Sequence, residues 1–127
     1  MQGWKGALQP VFSDAYEHER ITLTGLYIPP AVLAATMPGV GAAFARRAAD
    51  VDHLAIFGGM IHDEGGGTVH TNPLSREPVL TYRMAKEDRQ TIPLLMRRMG
   101  EIFFAAGAKE VFLPVLGEEG LDADKFR

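Results

Sequence analysis

The stretch FFAAGAKEVFLPVL, residues 103–116, decides how this sequence is read. Its first part continues a helical repeat of apolar positions, Gly107 suits the left-handed conformation that closes a helix, and EVFLPV (110–115) reads as a strand. Pro114, which cannot donate to a ladder, places that part of the strand at an edge or a bulge. Both faces of this strand are apolar, with Val111, Leu113 and Val115 opposing Phe112. A strand with one face in water alternates apolar and polar residues, so something has to lie against each side.

Working back from there, Ile92, Leu95, Met96, Met99, Ile102, Phe103 and Ala106 recur at three- and four-residue spacing, the strongest helical signal in the chain. Pro93 has no N–H, so either a short turn at KEDR precedes the helix or the helix bends there. Further upstream, ITLTGLYI (21–28) is rich in β-branched and aromatic residues and stops at Pro29 and Pro30, as a strand does. PPAVLAATMPG and GAAFARRAADV follow as two short helices, the first opened by proline. HLAIFGGMIH (53–62), VHTN and VLTYRM are strand candidates separated by turns, and together they predict a three-strand antiparallel meander.

The order is strand, two helices, meander, long helix, strand. It predicts a single α+β domain with a mixed or mainly antiparallel sheet carrying its helices on one face. Ala55, Phe57 and Ile61 share one side of their strand while Ile56 and Met60 share the other, so the second face of the sheet also needs cover. A partner domain, a second subunit or a bound ligand would each supply it.

At 127 residues the chain is long enough to bury a core, and a net charge of -3 with scattered basic residues carries no footprint for nucleic acid. The absence of cysteine excludes a disulfide framework and a thiol nucleophile and fits a reducing compartment. No apolar run has the length of a membrane span, and MQGWKGALQP is not a signal peptide, which makes a soluble, cytoplasmic protein the expectation.

The run from Met60 to Gly117 resembles part of the glucose–methanol–choline (GMC) oxidoreductases, flavoenzymes that oxidise alcohols. Asp63, Gly65, Gly67 and Val69 match a D-x-G-x-G-x-V turn, Tyr82 a strand end, Glu87 and Asp88 an acidic helix opening, and residues 105–108 an AAGA helix end. The upstream LTGLYIPPAVLAATMPGVG is similar to the stretch that enters the family's substrate-binding domain. The resemblance implies the substrate-binding (cap) portion of an FAD-dependent alcohol oxidoreductase, with a missing FAD-binding domain as its partner and a small alcohol as substrate. The G-x-G-x-x-G that holds FAD is absent, and the family's catalytic histidine and H-P-x-G-T motif lie outside the matched segment. No catalytic residue carries over, so FAD belongs to the parent protein and the chain alone is expected to be inactive.

The residues expected to line an alcohol pocket are the bulky ones near strand centres: Phe57, Met60, Tyr82, Met84 and Phe112. The competing reading is a stand-alone ligand-binding or dimerisation module that pairs its bare sheet face in a homo-oligomer.

Other clusters have plainer explanations. His62, Asp63 and His70 contain metal-ligand types, but no helical spacing fixes a geometry, and no metal is expected. Ser13, Asp14 and His18 contain the types of a nucleophilic triad within one local stretch, where a solvated connection with Tyr16, Glu17 and Glu19 is the simpler account. Met96 and Met99 read as core, Arg97 and Arg98 as an exposed helix face, and EGGGT as a turn using the positive φ that glycine tolerates.

Overall fold

The computed structural model describes residues 11–73, 75, 77–115 and 120–127. In chain order the elements are β1 (Phe12–Ser13), β2 (Ile21–Leu26), α1 (Pro30–Thr36), α2 (Gly41–Ala49), β3 (Ile56–Ile61), β4 (Gly66–His70), β5 (Val79–Arg83), α3 (Lys86–Ala105) and α4 (Ala123–Phe126). The fold is α+β with small antiparallel sheets, as the order of elements implied.

The strands do not form one meander. β2 lies between β1 and β3 in a three-stranded sheet, and β4 pairs with β5 in a separate hairpin. β3 antiparallel to β2 runs in register from Ile21 against Ile61 to Leu26 against Ile56. The expected β3–β4 pairing does not form, because the link 62–65 is held elsewhere, with Asp63 bonded to Tyr82 and the Glu64 N–H to Asp88.

The strand expected at 110–115 is also corrected. Its one ladder contact among the described residues is a bridge between Val111 and Leu121, where the two backbones exchange N–H···O bonds of 2.9 Å. Apolar residues alone do not make a strand; a neighbouring edge must be present to take the backbone groups.

α3 is one continuous helix from Lys86, with Pro93 inside it, rather than a turn followed by a helix. The missing proline N–H leaves the Arg89 carbonyl without its usual intrahelical donor. The helix closes as its sequence predicts. Gly107 has φ +89°, its N–H donates to the Phe104 carbonyl, and the Ala108 N–H donates to Phe103. These two bonds satisfy carbonyls that the helix end would otherwise leave open.

One face of the sheet packs on α3. Leu95 lies over Gly59, where an added Cβ would collide with it, and Phe57 meets Phe103 edge-on with ring centroids 6.2 Å apart. Ile21 and Leu23 on the same face are essentially inaccessible, and with Leu33 and Val111 they are the buried hydrophobic residues among those described. The opposite face carries Thr22 and Thr24 beside Met60, which is 53% exposed, and Phe12, which is 71% exposed. At the far end, Phe126 of α4 packs on Phe104 at 5.2 Å and against Gly100.

Leu23→Ala is expected to cost about 2–5 kcal/mol, because the surrounding side chains cannot collapse fully into the space it leaves. Urea titration checks this: a midpoint within error of the parent's would show that the Leu23 site is not packed as described.

Candidate functional site

The chain's most organised polar site is built on Asp88, whose side chain is wholly buried at the start of α3. Its carboxylate accepts the Ala85 N–H at 3.1 Å, capping the helix, and the Glu64 N–H at 3.2 Å. Arg20 donates to it at 2.9 Å and also to the His62 carbonyl. Arg20 takes up a left-handed conformation, φ 61°, immediately before β2. Burial pushes the Asp88 carboxyl upward, but the two backbone donors and the Arg20 guanidinium outweigh it and hold it below the ordinary aspartate value.

Beside this cluster the Tyr82 hydroxyl donates to Asp63, and that bond raises the Tyr82 pKa. Gly65 and Gly67 are required here by close approach rather than by positive φ. A Cβ on Gly65 would lie 2.9 Å from the Arg83 carbonyl oxygen and against the Tyr82 ring, and one on Gly67 would strike the Thr81 carbonyl. Residues 63–67, Tyr82 and Asp88, distant in sequence, therefore form one clamp.

A second polar cluster lies farther along α3. Arg98 donates to Glu19 at 2.9 Å and to Glu101 at 3.1 Å, and its guanidinium sits 5.3 Å from the Tyr16 ring centroid. Hydrogen bonding to Arg98 lowers the Glu19 carboxyl, and bonds from Arg97 and Arg98 lower Glu101. Arg98 and Glu19 are thus not the solvated groups that the sequence suggested: Glu19 keeps only 16% of its side chain exposed. Ser13, Asp14 and His18 form no triad; Ser13 Oγ accepts the Ala15 N–H.

The third feature is a cleft of about 1080 Å3. Its lining comes from β3, the end of α1, the segment 108–115 and the apolar stripe of α3, including Leu95, Met99 and Phe103. Polar groups along it are few, among them His53, Thr36 and Glu110. Arg47 braces its wall: it donates to the Pro38 carbonyl at 3.0 Å, approaches Glu110 at 4.0 Å and stacks 5.1 Å from the centroid of Phe112.

No protein-family model matches the sequence, and no solved structure matches it. Curated proteins do. Two from strains of Mycobacterium tuberculosis, each named an uncharacterized GMC-type oxidoreductase, are 30% identical over 115 residues, covering 90% of this chain and 18% of each relative. A third of the same description, from Sinorhizobium fredii, is 34% identical over 73 residues, covering 54% of this chain and 14% of the relative.

The chain belongs with the GMC-type oxidoreductases. It spans less than a fifth of the length of the curated relatives it matches, 18% of the first two. Five of the positions that carried the GMC resemblance, Asp63, Gly65, Gly67, Tyr82 and Asp88, are gathered into the clamp, while Val69, Glu87 and residues 105–108 lie outside it. They shape the backbone here and present no reacting group to the cleft.

Of the residues expected to line a GMC alcohol pocket, the cleft brings together Phe57 and Phe112, both half-buried. Met60 lies on the sheet face away from α3, Tyr82 is engaged with Asp63 at the hairpin, and Met84 is half-buried just after β5. His62 Nε2 is 2.9 Å from Thr22 Oγ1, and among the described residues no three His, Cys, Asp or Glu side chains group as a metal site. No helix among the described residues is long and apolar enough to cross a membrane. Sequence reasoning missed Arg20 and the role of Arg47. Arg20 lies 68 positions from Asp88, and nothing local marks either residue.

Because the Asp88 carboxyl is lowered in the folded state, its contribution is present above the unfolded value of about 3.9 and is lost as pH falls through the lower folded value. Asp88→Asn is therefore expected to melt below the parent at neutral pH and to lose less of its melting temperature between about pH 5 and pH 3. Thermal melts across that range check this; parallel curves for the two proteins would show that Asp88 is not the acid-sensitive group. Glu19 and Glu101 leave a residual slope.

Proposed function

We propose that this chain is the substrate-binding, or cap, portion of an FAD-dependent alcohol oxidoreductase of the GMC type. In the parent protein its cleft borders the flavin and receives the alcohol. The observation that carries this reading is an apolar cleft of about 1080 Å3 in a chain whose relatives are named GMC-type oxidoreductases. Ligand pockets are typically concave and mostly apolar with few polar groups, and about 300–1,000 Å3 in volume, so this one has room for a sizeable hydrophobic alcohol. Phe57 and Phe112 supply the aromatic surface that selects it.

The residues present do not fit FAD. Phosphate cradles of the dinucleotide type need glycines between a strand and a helix N-terminus, whereas Gly65–Gly67 lead into β4. The flavin and the groups that take the hydride and the hydroxyl proton lie on the other part of the parent protein. This chain's own contribution is to hold the carbon skeleton of the alcohol and keep water away from it.

The chain alone is expected to purify colourless and to show no alcohol-dependent dye reduction; stoichiometric flavin on it would contradict the assignment. The direct test replaces the matching segment of the Mycobacterium tuberculosis relative with this chain and follows alcohol-dependent bleaching of the bound flavin. In that chimera Phe57→Ala or Phe112→Ala is expected to raise KM for an apolar alcohol by about tenfold or more, a loss of roughly 1.4 kcal/mol of apolar contact. A chimera that folds, holds flavin and keeps every alcohol's KM unchanged in both variants would overturn the cap reading.

A further inference from the structure

β3 is the terminal strand of its sheet. The His62 N–H donates to the Arg20 carbonyl at 2.8 Å, and with the register of β2 and β3 this assigns the ladder bonds of β3 to Ile56, Gly58 and Met60. The backbone groups of Phe57, Gly59 and Ile61 therefore point away from β2, along an edge that no strand among the described residues covers. Natural edge strands are guarded by charge, proline, a bulge or a covering element. IFGGMI has no charge and no proline, and its pairing with β2 runs without a bulge.

Phe57 and Gly59 of this edge line the apolar cleft, and so does the segment 111–115, while Ile61 continues the edge beyond the cleft. That segment has the residue pattern of a doubly buried strand yet makes a single bridge, at Val111. Two strand-like stretches thus flank a slot that no strand among the described residues fills.

We infer that an extended peptide segment occupies the slot, adding a strand to the free edge of β3 and bringing residues 111–115 into the sheet. The unpaired backbone groups recur every second residue, about 6.6–6.8 Å apart. A small alcohol has one hydroxyl and can satisfy one of them; a strand satisfies the row and places alternate apolar side chains against Leu95, Met99 and Phe103. The source rests on the GMC reading: the match covers 18% of the first two relatives, and the segment comes from the rest of such a protein.

The test uses overlapping synthetic ten-residue peptides covering one Mycobacterium tuberculosis relative, with 1-dodecanol as the small-molecule arm. Amide hydrogen exchange of the full chain is followed by NMR. At least one peptide with alternating apolar residues is expected to bind saturably and to slow exchange at Phe57, Gly59 and Ile61 by about tenfold or more, leaving Thr22 and Thr24 unchanged. Ile61→Pro removes one outward N–H without touching the β2 ladder and is expected to weaken that peptide about tenfold; should this variant fail to fold, the protection pattern in the parent chain decides alone. The proposal is overturned if no peptide slows those three amides, or if 1-dodecanol by itself slows them as strongly. A chimera inactive toward alcohols alongside peptide-protected amides would sink the cap reading and leave the added strand standing; the reverse pattern would do the opposite.

Discussion

A buried carboxylate cannot remain charged without donors, and that constraint organises this molecule. Asp88 sits inside the protein and is served from three directions: the Ala85 N–H of its own helix, the Glu64 N–H of the link before the hairpin, and Arg20 at the mouth of β2. Each donor belongs to a different stretch of chain, so meeting the needs of one side chain sets the position of the long helix against the sheet and the hairpin against both. Arg20 accepts a left-handed backbone to reach it and also donates to the His62 carbonyl at the end of β3. Removing the carboxylate would leave several donors without a partner at once, which costs more than losing one exposed ion pair.

By contrast the apolar core is thin. Four hydrophobic residues are buried among those described, and much of the α3 stripe is only half-buried because it faces the cleft. The sheet packs on α3 through Leu23, Ile21 and Phe57, while the cleft opens beside the free edge of β3. The sequence raised the problem of an uncovered sheet face. The structure relocates it: Thr22 and Thr24 soften the face opposite α3, and the larger unfilled surface lies along an edge and a groove.

That relocation bears on function. The proposed alcohol binding and the inferred strand addition call on the same apolar cleft, and they differ in what they ask of the β3 backbone. A ligand pocket needs aromatic and aliphatic walls, which Phe57, Phe112, Met99 and Leu95 provide. A strand site needs a row of outward amides at regular spacing, which Phe57, Gly59 and Ile61 provide.

What the sequence determined by itself was local and periodic. The stripe from Ile92 to Ala106 specified α3, Gly107 specified its end, the β-branched run at 21–28 specified β2, which stops at Leu26, and the ordered motifs specified the GMC relationship. What only the tertiary structure decided was partnership. β3 pairs with β2 and not β4, residues 110–115 stay largely unpaired, Glu19 and Arg98 find each other across 79 positions, and Asp88 joins Arg20 across 68. The physical reason is that helix bonds close within four residues and leave a periodic trace, whereas a ladder or a buried ion pair closes between residues with no shared pattern, and only the folded backbone says which donor arrives at which acceptor.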